Sequence, residues 1–145
     1  MDELTRDYKA LVRNAWRVFS LSHRSWSKSL ETFGLSTSTF PILEAILQQP
    51  GIGQQEISDE LSIDKSCTSR GCRFLEENGF IYRKKSSDHA HGFQCFPCVK
   101  GIQAFEQVLA AEHQQIHKIF SSEEHDEVKK TLEMLVRLVE KLKDK

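Results

Sequence analysis

At 145 residues the chain is the size of one ordinary domain, and 39% apolar against 28% charged residues leaves enough apolar content for a sizeable core. No apolar run approaches the roughly eighteen residues a membrane helix needs, and the polar, acidic start MDELTRDYK is not a signal peptide. A soluble cytoplasmic protein with four reduced cysteines is expected. The formal net charge of −1 is unevenly spread: residues 64–100 carry 7 Lys/Arg against 4 Asp/Glu, while residues 1–63 (6 against 8) and 101–145 (7 against 9) are each −2.

In residues 3 to 33, Tyr8, Leu11, Val12, Ala15, Trp16, Phe19, Trp26, Leu30 and Phe33 recur mostly at threes and fours, which predicts one long amphipathic helix. At 1.5 Å per residue it would be about 45 Å long, more than one small core can cover, so its stripe is expected to pack on a second subunit. Gly34 closes it. LSTST opens a second helix through about Gln49, buried by Phe40, Leu43, Ile46 and Leu47, with Pro41 tolerated in the first turn and Pro50-Gly51 as the stop.

The stretch from Gly53 to Gly101 organises the rest. GQQEISDELSI has helical periodicity, and Asp64 offers an N-cap for a further helix whose inward positions are Thr68, Cys72 and Leu75. Gly79 ends that helix, FIYRKK reads as a strand, SSDHAHG as a turn, and FQCF as the returning strand. Helix, tight turn, helix and hairpin make a winged helix-turn-helix, with the local positive charge on its groove-reading helix and wing. Val99 to Phe120 is then a long helix, Ser121 with Glu124 a capping box, and Val128, Leu132, Leu135, Val139 and Leu142 a heptad seam on the last helix. The fold expected is mainly α with a small β-hairpin wing. It forms a single domain over 1–145, with 34–98 for DNA binding and 1–33 and 99–145 for dimerisation.

The order and spacing of LSTSTFPILEAI, of QQEISDELSIDKS with Ser69-Arg70, of LEENGFIYRK running to Asp88, and of Lys100-Gly101 with the final helix pair resemble the MarR family of transcriptional regulators. The resemblance runs through nearly the whole chain. It implies a homodimer acting as a repressor in the cytoplasm, on a pseudo-palindromic double-stranded operator. It also implies a pocket between dimer helices and reading head where a signal changes DNA affinity. The chain departs from the family at the wing tip, where Asp88 is followed by His89, Ala90 and His91 in place of Asp-x-Arg, and at Pro97-Cys98 in place of Leu-Thr.

On the reading helix, Lys65, Ser66, Ser69, Arg70 and Arg73 face outward; the arginines suit guanine edges or phosphates and the serines phosphate or a base edge. Arg83, Lys84 and Lys85 at the wing base are assigned to phosphates, and His89 and His91 to phosphate or minor groove when protonated, so that affinity would rise as pH falls. Trp16, Trp26 and Phe40 are candidates for a pocket taking a small aromatic ligand.

No cofactor is expected, yet two zinc readings exist. His113 and His117, four apart on one helix face, resemble the fifth-helix ligands of zinc-sensing relatives, with His23 as a further candidate. The wing cluster His89, His91, Cys95 and Cys98 has the ligand types but not the opposed pairs of a zinc knuckle. For redox sensing, Cys67 near a basic helix N-terminus is the candidate, because the first-helix cysteine of peroxide-sensing relatives is absent, and Cys72 reads as a small apolar core residue. The chain has no Gly-rich phosphate loop, G-x-S-x-G or H-E-x-x-H, so catalysis is not expected. The rival class is a winged-helix protein-interaction module that does not bind DNA.

Overall fold

The first helix, α1 (Glu3–Thr32), starts at Asp2, whose carboxylate accepts from the Thr5 amide at 2.9 Å and from its hydroxyl at 2.6 Å. It stops at Gly34 (φ +74°), where the amides of Gly34 and Leu35 bond back to Glu31 and Leu30. The computed structural model describes residues 1–86 and 92–143. Among them follow α2 (Phe40–Gln48), α3 (Gln54–Leu61), α4 (Lys65–Glu77), β1 (Ile81–Lys85), β2 (Phe93–Pro97), α5 (Val99–Ile119), a 3-10 turn (Ser122–Glu124) and α6 (His125–Lys143). No helix among them is long and apolar enough to cross a membrane.

The second helix is shorter than its sequence suggests. Ser36 and Thr39 exchange backbone and hydroxyl hydrogen bonds that close a turn, and the helix starts only at Phe40, with Pro41 in its first turn. Asp64 does hold the extended N-cap backbone of α4, but its side chain makes no capping bond. What fastens α4 to α3 instead is a hydroxyl pair. Thr68 Oγ1 and Ser58 Oγ lie 2.7 Å apart, both buried, and Ser58 also donates to the Gln54 carbonyl at 3.1 Å. Thr68, placed in the sequence among apolar positions, is a buried polar group with its partner supplied.

Helix α4 ends as α1 does. Gly79 (φ +77°) lets its own amide and that of Phe80 bond to Glu76 and Leu75, and buried Phe80 then packs with buried Leu75 in the same core. The antiparallel hairpin pairs Ile81 with Pro97, Arg83 with Cys95 and Lys85 with Phe93. Backbone bonds from Cys95 to Ile52 and from Gly51 to Cys95 tie β2 to the α2–α3 connection. Alternation sends Ile81 and Cys95 into the core and stacks Tyr82 on Phe96 at 5.2 Å on the outer face.

The described chain divides into two compact units, Met1–Leu109 and Ala110–Lys145. The first holds the core, built from Leu30, Leu43, Ile46, Ile57, Leu75, Phe80 and Val108 with their neighbours. Most of α1 lies outside that core: Leu30 is its buried residue, while Tyr8, Val12, Trp16 and Phe19 are exposed. In the second unit the Glu124 carboxylate accepts from both the Ser121 amide and hydroxyl, which draws its pKa below the ordinary carboxylate value. No described residue of α6 is buried.

Candidate nucleic-acid interface

Helix α4 is held by its inner face. Thr68, Gly71, Cys72 and Leu75 are buried, and a Cβ on Gly71 would fall 2.3 Å from Ile42 Cδ1, so glycine is what lets α4 lie close on α2. The opposite face is free for a partner: Lys65, Ser66, Arg70 and Arg73 are exposed and Ser69 is half-buried. Arg70 donates to Cys67 Sγ at 3.3 Å. Phe74 extends this surface, at 39% exposed, and went unnoticed in the sequence, although its spacing from Arg70 puts it on the same face. Beside it lies a cavity of about 660 Å³ lined by Leu35, Pro41, Ile63, Cys67, Arg70 and Phe74, among others.

At the wing base the three basic residues have different surroundings. Arg83 is half-buried, its Nε bonded to the Glu76 carboxylate and its guanidinium 5.0 Å from the Phe93 ring centre. It is a strut between α4 and the hairpin before it is a phosphate ligand. Lys84 lies exposed over Tyr82 and Phe96, and Lys85 is exposed. Lys100 caps α4 by donating to the Asn78 carbonyl at 2.6 Å. His89 and His91 lie outside the described residues. Cys95 is turned into the core, away from a wing-surface metal site.

The three aromatic pocket candidates part company. Trp26 meets Phe40 edge to face at 5.7 Å, and Phe40 stacks on Phe105 at 5.6 Å. Trp16 stands 67% exposed against Phe19, roughly 15 Å up the helix from Trp26. Trp26 Nε1 is buried and has no hydrogen-bond partner among the described residues.

His113 and His117 are brought together, ring centres 4.2 Å apart, while His23 lies in the other compact unit beside Phe19. The pair supplies two of the three or four protein ligands a zinc site uses, and no group of three or more candidate ligands occurs among the described residues.

A supported helix with a basic outer face, followed by a two-stranded wing, defines a winged helix-turn-helix DNA-binding protein. The family model for the MarR family matches residues 35–89, from the end of α1 past β1. That stretch, α2 to the wing, is what the chain shares with this family of transcriptional regulators. It is 23% identical over 138 residues to the HTH-type transcriptional regulator BilQ of Clostridium symbiosum, covering 95% of this chain and 92% of that one. Among solved structures, a MarR family transcription regulator superposes with a TM-score of 0.83 at 18% identity, over 99% of both chains. Reduced AbfR bound to DNA superposes with 0.77 at 22% identity, over 97% of both.

Proposed function

We propose that the chain is a homodimeric, sequence-specific repressor that sets α4 of each protomer in successive major grooves of a two-fold operator. The observation that carries the reading is the outward face of α4, where Arg70 and Arg73 stand exposed on a helix whose other side is locked into the core. Dimerisation is supported by the bare stripe of α1 and by α6. In the second unit, Phe120, Val128, Leu132 and Leu135 line an apolar groove of about 360 Å³ that a second copy's helix would fill. On this reading residues 34–98 read DNA, and residues 1–33 and 99–145 hold the dimer.

The signal we favour is a small aromatic ligand at Trp26 and Phe40, where the unmet Trp26 donor asks for an acceptor. The approach of His113 to His117 supports a metal-responsive alternative. The test is selection of bound duplexes from a random pool, with sedimentation of the free protein and its complex. A two-fold consensus bound by a dimer, with affinity falling steeply as salt rises, is the expected result. Binding that is absent, or insensitive to sequence, would leave the protein-interaction module standing. Zinc quantified per protomer, and DNA affinity with and without chelator, decides between the two signals.

A further inference from the structure

All six Lys/Arg of residues 1–63 lie on α1: Arg6, Lys9, Arg13, Arg17, Arg24 and Lys28. The net charge of −2 over that segment hides them. Glu44, Glu56, Asp59 and Glu60 belong to α2 and α3, and the remaining four acidic residues stand toward the two ends of α1. Between Asp7 and Glu31 the helix carries five cations and no carboxylate. At 3.6 residues per turn the six cations fall within a sector of about 100°. It faces away from Leu30, which enters the core, and from the bare Tyr8, Val12 and Phe19. All six cations are exposed. The ion pairs among the described residues, Arg83 with Glu76 and Lys143 with Glu140, involve none of them.

A solvated helix face ordinarily mixes the two signs of charge. Here Lys9, Arg13 and Arg17 follow one another at four-residue steps, as do Arg24 and Lys28, and like charges at that spacing destabilise a helix. The row costs stability unless an anion faces it. We propose that the polar face of α1 is a second DNA surface, which holds the phosphate backbone of duplex DNA beyond the stretch that α4 reads, without regard to sequence. This rests on the reading of the chain as a DNA-binding protein, and not on which bases α4 contacts. From Arg6 to Lys28 the row is about 33 Å long, close to the roughly 34–36 Å of one duplex turn. Residues 8–30 carry +5 against the +3 of residues 64–100, so α1 is the stronger electrostatic attraction for phosphate. An anionic lipid surface fits less well, because a helix lying on a bilayer buries its apolar face, and the proposed dimer covers that face.

The test combines Lys9→Gln, Arg13→Gln and Arg17→Gln in one full-length variant, which removes three charges and keeps a good helix former at each position. Parent and variant are sedimented, then titrated by fluorescence anisotropy with two duplexes, one trimmed to the selected consensus and one long and lacking it. The variant should remain a dimer. On the long duplex its slope of log affinity against log salt should be smaller by about two or more, since each lost phosphate contact releases fewer counterions. On the trimmed duplex at about 0.15 M salt, where charges beyond about 8 Å are screened, the two proteins should bind within about threefold of each other. An unchanged slope on the long duplex would overturn the proposal. So would an equal loss on the trimmed duplex, which would put α1 inside the stretch α4 reads. A monomeric variant would overturn it as well, by giving the row to a second copy's carboxylates. Parent retained on phosphatidylglycerol vesicles through these cations, with the DNA slope unchanged, would make lipid the occupant. If selection yields no consensus while the long duplex still shows the slope difference, the operator reading fails and the α1 surface stands.

Discussion

Arg70 and Arg83 are the same residue type on neighbouring elements, yet their surroundings assign them different work. Among the described residues Arg70 projects from the outer face of α4 with only Cys67 as a side-chain hydrogen-bond partner, so its guanidinium remains available to a base edge or phosphate. Arg83 is committed to Glu76 and lies over Phe93. Arg70→Ala should weaken operator binding by about 1–3 kcal/mol and leave the urea midpoint where it was. Arg83→Ala should lower the midpoint, by about 1 kcal/mol of stability, and barely change the salt slope, because a bond to a charged group and a ring contact are lost. Lys85→Ala, by contrast, should reduce the slope of log affinity against log salt by about one. Fluorescence anisotropy over a salt series, with urea unfolding on the same preparations, checks all three. A second residue-scale device is the Ser58–Thr68 hydroxyl pair, which joins α3 to α4 inside the core. Thr68→Val keeps the shape and removes the hydroxyl, costing about 1–2 kcal/mol, whereas Ser58 keeps its bond to the Gln54 carbonyl. In a double-mutant cycle Ser58→Ala and Thr68→Val should together cost less than their sum, by about 0.5 kcal/mol or more. Strict additivity would mean that the two hydroxyls act independently.

At the scale of elements, the helices of the first unit meet where glycine removes a side chain, and the two close approaches differ in what they face. A Cβ on Gly101 would lie 2.2 Å from the Phe80 carbonyl oxygen, which is backbone fixed by its bond from the Cys98 amide. A Cβ on Gly71 would meet only the end of the Ile42 side chain, which can rotate aside. Gly101→Ala should therefore destabilise by about 2–3 kcal/mol or more, and Gly71→Ala by clearly less, within the roughly 1–3 kcal/mol usual for overpacking. Thermal unfolding of both variants measures the order, and a reversed order would mean that α5 can lift from Phe80 more easily than Ile42 can turn.

These elements were largely legible beforehand. Period-four and period-three spacing placed Cys72 and Leu75 inside, and Gly79 and the Ser121–Glu124 box marked true boundaries. Inter-element pairings were not legible. That Arg83 would meet Glu76 follows from the register of β1 on β2 and the roll of α4, neither of which a one-dimensional pattern contains. The two pocket tryptophans share a stripe in sequence, but Trp16 lies three helical turns from Trp26. The outward positions Lys65, Ser66, Arg70 and Arg73 were legible for the converse reason: one helix's inner residues fix its outer ones.

For the whole molecule, the decisive quantity is apolar surface without a partner. Along α6, Val128, Leu132, Val139 and Leu142 repeat at heptad spacing, and Leu132 alone is 59% exposed. On α1, Tyr8, Val12, Trp16 and Phe19 are bare as well. Two such helices in one small protein exceed the scattered apolar exposure of an ordinary monomer, and covering them against a second copy removes the excess. On the proposed reading a dimer would also compensate for the weak electrostatics of one protomer: residues 64–100 carry only +3 in a chain of net −1, and two linked heads would engage two half-sites as one event. Leu132→Lys places a charge in the seam without touching the first unit's core. It should sediment as a monomer at concentrations where the parent is a dimer, and it should keep its helical circular dichroism. Its operator affinity should fall by about 10²-fold or more, since the second half-site no longer counts. On a single half-site duplex the variant and the parent should bind alike. A dimeric Leu132→Lys would put the subunit contact on α1 instead, and a monomeric parent would remove the two-fold operator from the reading altogether.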